Sequence, residues 1–253
     1  MKKLIRYGII GIGGMGANHA NLLLQNKINN ACLASICDMN KSFSENFPST
    51  PFYSNTSDFF NKEKIDVAII ATPHRSHVNL GKEALENHIN IIIEKPLAVT
   101  TKQCREFIEF SKNYDSKFGI MLNQRTNPAF IKLKKMITSG ELGKIHRYQW
   151  TITDWFRTNY YYNISDWRAT WKGEGGGVLM NQSIHQLDLC QWLFGMPDSV
   201  ITDMQLGHFH NIEVEDEVTS ILKYNDGMKG IFSTTTGETP GVNRLEIASD
   251  YGL

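Results

Sequence analysis

Long apolar runs are missing from this chain of 253 residues, and so is any excess of charge of one sign. No stretch approaches the ~20 apolar residues that cross a bilayer, so a membrane-spanning helix is not expected. Lysine plus arginine and aspartate plus glutamate balance at 26 each, which leaves no overall field to draw the chain to nucleic acid or to an anionic membrane. The start, MKKLIRYGIIGIGGMG, has neither a long apolar segment before its glycines nor a small-residue cleavage site, so no secretory signal is expected. Cysteine is scarce. Cys32, Cys37, Cys104 and Cys190 show no CxxC spacing, and Cys32 and Cys37 share one extended run that holds them too far apart to bridge. Free thiols and a cytoplasmic location are the expectation. No repeat and no low-complexity segment is present.

What is present is alternation. Between residues 4 and 122, strand-like runs (5–11, 32–38, 65–72, 90–94 and 117–123) are separated by helix-like segments (13–26, 77–88 and 100–114), with a short strand near Pro51–Tyr53. Such alternation calls for a parallel sheet with right-handed crossovers. After Asn123 the texture changes. A helix over 127–140, ended by Gly140, precedes longer extended runs at 145–156, 217–237 and 243–253, with Asn225-Asp226-Gly227 as a hairpin turn. One helix, 178–195, interrupts them. The expectation is an α/β domain over 1–122 and an α+β domain with a mainly antiparallel sheet over 123–253.

The chemistry gathers at strand ends. Gly11-Ile12-Gly13-Gly14-Met15-Gly16 fits GxGxxG between a strand and a helix, the arrangement that brings a pyrophosphate to a helix N-terminus. Asp38 ends the second strand, where an acid accepts from ribose hydroxyls and repels a 2′-phosphate, so NAD is expected over NADP, a preference that Lys41 softens. Thr72 and Pro73 end the next strong strand. His74 and His77 follow as candidate catalytic residues or as capping and packing residues, with His77 also expected to border the cofactor.

The run IIIEKPL (91–97) is stranger. Three isoleucines read as a strand buried on both faces, yet Glu94, Lys95 and Pro96 stand at its end. Placed along the same crevice, Glu94 and Lys95 are expected to face the nicotinamide, and a partly desolvated lysine there can donate to a substrate oxygen. Pro96 permits a cis bond.

Taken in order, GIGGMG, IIATPHRSH, IIIEKPLAVT, NQRTNPAF and GEGGGVLMNQSIHQLDLCQWLFG resemble the Gfo/Idh/MocA family over essentially the whole chain. The resemblance implies a Rossmann domain, a substrate domain with an open sheet, and hydride transfer at a sugar or cyclitol carbon. It implies that Glu94-Lys95-Pro96 borders the nicotinamide, often through a cis bond, and that Arg125 lies near nicotinamide and substrate. It differs at Asn181, where many members carry an aspartate four residues before the histidine matching His185. An amide accepts no proton, so that burden moves to His185 or Lys95. Family members also continue through further strands, so a C-terminally truncated chain is expected, with homo-oligomerisation through the substrate-domain sheet if full length.

On a helix, Asn181, His185, Asp188 and Trp192 share one face, and Met180, Ile184, Leu187 and Cys190 another. Catalysis is therefore expected from Lys95 and His185, with Asn181 and Arg125 on the substrate. The segment 154–177 is rich in aromatic residues interleaved with Arg157 and Arg168, which suits pyranose faces and hydroxyls. Trp167 and Arg168 are expected nearest the cofactor. Two rival functions stand beside a dehydrogenase: a glycosidase that oxidises its sugar transiently, and a silent NAD-binding regulator. His208 and His210 with Glu213, Glu215, Asp216 and Glu217 form a further candidate cluster, but their spacing matches no common zinc pattern, and no metal is expected.

Overall fold

A computed structural model describes residues 3–252. It divides into two compact units, residues 1–121 and 122–253.

In the first unit, β1 (Ile5–Ile10), β2 (Ala31–Cys37), β3 (Phe52–Tyr53), β4 (Val67–Ile70), β5 (Asn90–Ile93) and β6 (Phe118–Ile120) form one sheet in the order β3-β2-β1-β4-β5-β6. Every ladder in it is parallel. Parallel strands must be crossed over, and α1 (Gly14–Leu24), α2 (Thr56–Lys62), α3 (His77–Glu86) and α4 (Thr101–Ser111) lie between successive strands. Both faces are covered: Ile10, Ile70, Ile93, Leu85 and Phe107 pack on one side, and Ile9, Ile36, Ala20 and Leu23 on the other. That double burial explains why β4 (VAII) and Ile91–Ile93 of β5 read as continuous apolar runs rather than alternating ones. Helix starts are set by side chains that satisfy orphan amides. Thr100 accepts from the Gln103 N–H at 3.2 Å, and Asn55 accepts from the Asp58 N–H at 2.8 Å. The chain order reverses between β1 and β4, which opens a crevice beyond their carboxyl ends.

In the second unit, α5 (Pro128–Thr138) starts at Asn127, whose side chain accepts from the Ala129 N–H at 2.9 Å, and stops before Gly140 at φ +75°. Next come β7 (Ile145–Ile152), α6 (Asn159–Asn163), α7 (Ile184–Phe194), β8 (Ser199–Leu206), β9 (Glu215–Lys223), β10 (Lys229–Thr235) and β11 (Asn243–Ser249). The sheet order is β11-β7-β10-β9-β8. The β7–β10 ladder is parallel and the rest are antiparallel. The predicted hairpin joins β9 to β10, with Gly227 at φ +90°. Tyr148, Trp150, Phe232, Leu189 and Cys190 pack between one sheet face and α7, and Tyr148 stacks on Phe194 at 4.0 Å.

One expectation about α7 fails. Helix is predicted from residue 178, but Val178–Ser183 form tight turns and the helix begins at Ile184. Asn181 therefore lies ahead of the helix and shares no helical face with His185, Asp188 and Trp192. The buried stripe is Gln186, Leu189, Cys190 and Leu193, so of the expected Met180, Ile184, Leu187 and Cys190 only Cys190 belongs to it. The Val178 N–H donates to the Glu215 carbonyl at 2.9 Å, and Ser183 donates from both its N–H and its hydroxyl to the Val178 carbonyl. Those bonds close turns rather than a helix.

Gly81 on α3 sits against the site-bearing strand. A methyl there would meet the Phe107 ring at 2.9 Å and Ile93 at 3.1 Å. Alanine gains ~1 kcal/mol in a helix interior, but overpacking a filled core costs ~1–3 kcal/mol. Gly81→Ala is thus expected to lower stability in denaturant titration. In a Phe107→Leu background the same change becomes neutral or stabilising; a stabilising Gly81→Ala in the native background contradicts this packing.

Candidate active site

The glycine loop divides its labour. Gly11 at φ +88° needs freedom that side chains lack, and a methyl on it would lie 2.8 Å from the Ala71 backbone. A methyl on Gly16 would lie 1.8 Å from the Gly11 carbonyl oxygen, so this glycine lets α1 close onto β1. Around Gly13 and Gly14 a methyl would meet nothing within 4 Å. Gly13 is also the N-cap of α1, with no side chain to cap it and no acid in the first turn. Open space beside an uncapped helix N-terminus fits a phosphate. Asp38, half-buried at the end of β2, holds this loop: its carboxylate accepts from the Ile12 N–H at 2.7 Å and from the Asn40 N–H at 2.9 Å. Each oxygen keeps a further lone pair for a ribose hydroxyl. Beside it, burial first and the Asp38 charge second push the Cys37 thiol up to about 12.

The loops after β4 and β5 are tied to each other. His77, 1% exposed, has Nδ1 2.7 Å from the Pro96 carbonyl oxygen and Nε2 2.7 Å from that of Thr72. Burial pulls its pKa below the usual histidine value against the opposing pull of those two carbonyls. The Thr72 hydroxyl accepts from the Ser76 hydroxyl at 2.7 Å. Pro73 begins the short turn that carries the buried His74. The Lys95–Pro96 bond is cis. Lys95 is half-buried, and the Glu94 side chain is turned into the protein, where its Oε1 lies 2.7 Å from Nε2 of His19 on α1. His19 was not legible as a site residue. Its signal is helical phase, one turn beyond Gly16.

In the second unit, Arg125 makes a bidentate pair with Asp188 on α7, at 2.7 and 2.6 Å. Asp188 raises the Arg125 pKa further, and the guanidinium stands over the Trp192 ring. Asn181 donates from its amide to Glu174, which is 2% exposed and also accepts from the Ala169 N–H at 2.6 Å. His185 occupies the first turn of α7, half-buried. Among the aromatics, Tyr161 lies between two cations, with Arg157 at 4.8 Å and Arg168 at 4.6 Å from its ring. Arg168 also stacks on Trp167 at 4.6 Å and donates to the Tyr161 hydroxyl at 2.7 Å. Tyr162 is instead core: buried, hydrogen-bonded to Thr236 and pushed up to about 12 by burial.

The acidic stretch before and within β9 does structural work. Glu215 accepts from the Gly177 and Leu179 N–H groups at 2.9 and 3.1 Å and so pins the glycine-rich loop. Asp216 accepts from the N–H groups of His208, Phe209 and His210. His210 has one ring nitrogen on Asp216 and the other on the Arg157 carbonyl, so both are committed. Among the described residues, no group of three or more His, Cys, Asp or Glu is arranged to hold a metal ion, and no helix is long and apolar enough to cross a membrane.

Comparison with known proteins agrees with this geometry. Residues 5–121 match the model of an oxidoreductase family with an NAD-binding Rossmann fold, and residues 130–252 match the GFO/IDH/MocA C-terminal domain. The chain is 29% identical to the uncharacterised oxidoreductase YdgJ of Escherichia coli over 81% of its own length and 58% of that protein's. It is 23% identical to a myo-inositol 2-dehydrogenase of Thermotoga maritima, covering 98% of this chain and 74% of that one. Its fold is similar to the WlbA dehydrogenase of Bordetella pertussis, solved in complex with NADH and UDP-GlcNAcA, with TM-score 0.89 and 26% identity over 98% of this chain and 76% of that one. The chain spans 58%, 52% and 55% of the lengths of three curated oxidoreductases it matches. A Rossmann sheet with an open glycine loop, the strand-end Glu94-Lys95-Pro96 and the mixed second sheet thus belong together: the chain is a member of the Gfo/Idh/MocA family of NAD-binding oxidoreductases.

Proposed function

We propose that this protein oxidises a CH–OH carbon of a sugar or cyclitol, with NAD as hydride acceptor. The observation that carries the reading is Lys95. It stands at the end of a strand in an NAD-binding fold, between two residues whose positions are fixed by histidines. The relatives named for inositol and for a sugar nucleotide point to the same substrate class.

Bound NAD supplies the hydride acceptor, and the protein supplies the rest. Gly11, Ile12, Gly13, Gly14, Met15 and Gly16 hold the pyrophosphate, Asp38 the adenosine ribose, and Thr72, Pro73 and His77 the loop that borders the dinucleotide. Trp167 and Arg168 complete this cofactor set, whereas Glu94, expected to face the nicotinamide, has its side chain turned onto His19 instead. As the carbinol C–H bond breaks, negative charge grows on the substrate oxygen, and the Lys95 ammonium stabilises it more than it stabilises the ground state. An imidazole nitrogen of His185 takes the hydroxyl proton. Asn181, steadied by Glu174, orients the substrate, and Arg125, locked by Asp188, lines it. The same reading has the protein in the cytoplasm, with full-length copies pairing through the sheet of the second unit.

Asp38 sets the cofactor preference. NAD is expected to bind at least tenfold tighter than NADP, worth ~1.4 kcal/mol, in calorimetric titration. Equal or tighter NADP binding removes Asp38 from the ribose.

Lys95→Ala and His185→Ala are each expected to lower kcat by ~100-fold or more with NAD affinity little changed. Asn181→Ala should cost less, and Asn181→Asp should remain active. Near-normal turnover by His185→Ala would assign the proton elsewhere.

A further inference from the structure

Three arginines of the second unit are half-buried among the described residues: Arg125, Arg157 and Arg168. Two of them have a counter-charge. Arg125 pairs with Asp188 at 2.6 Å, and Arg168 lies 3.9 Å from Glu174. Arg157 has no carboxylate at ion-pair distance among the described residues, and its Nε is buried without a hydrogen-bond partner. Its Nη1 donates to the adjacent Phe156 carbonyl at 3.0 Å, which carries no net charge. Aromatic faces attract a guanidinium but do not neutralise it, so a cation partly withdrawn from water calls for an anion.

We propose that Arg157 receives an anionic substituent of the substrate, a carboxylate or a phosphate, so that the sugar or cyclitol oxidised is an acidic one. The group is held ready for such a ligand. Trp155, Arg157, Tyr161, Arg168 and Trp167 form an alternating stack of rings and cations, with guanidinium-to-ring distances of 5.5, 4.8, 4.6 and 4.6 Å. The backbone is fixed from two sides: the Arg157 N–H donates to the Thr236 carbonyl at 2.9 Å, and the Arg157 carbonyl accepts from the buried His210 ring at 2.8 Å. Ring contacts do not consume N–H donors, and a planar guanidinium fork matches the paired oxygens of a carboxylate or phosphate. The stack also adjoins the candidate substrate residues. The Tyr161 hydroxyl accepts from Arg168 at 2.7 Å and from the Asn181 amide at 3.5 Å, so Arg157 stands one ring away from Asn181. The inference rests on the proposed oxidation of a sugar or cyclitol and narrows its substrate class.

Calorimetric titration of the NAD-loaded protein, in a buffer free of phosphate and sulfate, compares each acid with its neutral parent. The pairs are glucuronate and glucose 6-phosphate against glucose, galacturonate against galactose, and myo-inositol 1-phosphate against myo-inositol. In at least one pair the acid is expected to bind about tenfold tighter or more, the worth of a charge-assisted hydrogen bond. Whether a uronate or a phosphate shows the preference tells which oxyanion the site takes. Arg157→Gln should bring the ratio of Kd values in that pair to within twofold of unity. A merely structural Arg157 would weaken acid and parent alike and leave the ratio unchanged. Arg157→Met keeps the apolar stem between the rings and should give the same result, so a glutamine variant that fails to fold does not end the test. Acid and parent within twofold of each other in every pair, or a preference that survives both substitutions, overturns the proposal. If an acid binds through Arg157 and no NADH forms, the proposed oxidation fails and the anion site stands. If a neutral parent is oxidised as readily as its acid, the oxidation stands and this inference falls.

Discussion

Charge at the end of an apolar parallel strand must be given somewhere to go, and the first unit of this protein is arranged around that requirement. Of the three isoleucines of β5, Ile91 and Ile93 are buried and Ile92 is half-buried against the opposite core, and the next residue is a carboxylate. A carboxylate there is tolerable because His19 meets it at hydrogen-bond distance. The same constraint orders its neighbours. His19 must stand on α1, α1 must close onto β1, and Gly16 is the residue whose missing side chain permits that approach. Asp38 then fixes the glycine loop from the other side through the Ile12 N–H. One buried charge thus links the phosphate-binding turn to the lysine loop.

The second unit solves a similar problem with carboxylates that accept backbone N–H groups. Glu215 pins the turns around Gly177, and Glu174 reaches Ala169 and the Asn181 amide. Asp216 gathers three consecutive N–H groups and the His210 ring. Charge-assisted bonds of this kind are short and strong, and they fix loops that have no regular structure of their own. Preorganised loops are what a site needs when its donors must be in place before charge develops.

The legible parts of the sequence were those where one local rule dominates. Strand β5 reads from its isoleucines, α4 from its threonine cap, α5 from Asn127, Pro128 and Gly140, and the β9–β10 turn from Asn225-Asp226-Gly227. Less legible were short elements, elements without a buried face, and elements decided by partners distant in sequence. Helix α2 is short and is set by Asn55 and two adjacent phenylalanines. Strand β8 has no burial alternation at all, because every one of its residues is exposed. The late start of α7 depends on Glu215, 31 positions after Ile184, drawing Val178 into a turn. Among the candidate site residues, the glycines, Asp38, Lys95 and His185 announce themselves by motif. His19, Glu174 and Glu215 do not, since each acts by meeting a group that only the fold brings near.

Reduction of NAD by a free substrate bears most directly on what the protein does. The protein would be incubated with NAD and a panel of free sugars, inositols and nitrophenyl glycosides, with NADH absorbance and nitrophenol release followed together. A carbinol dehydrogenase gives NADH in step with oxidised product from at least one free sugar or cyclitol. Release of nitrophenol with no net NADH, or tight NAD binding with no reduction by any member of the panel, would contradict net hydride transfer from a free sugar or cyclitol.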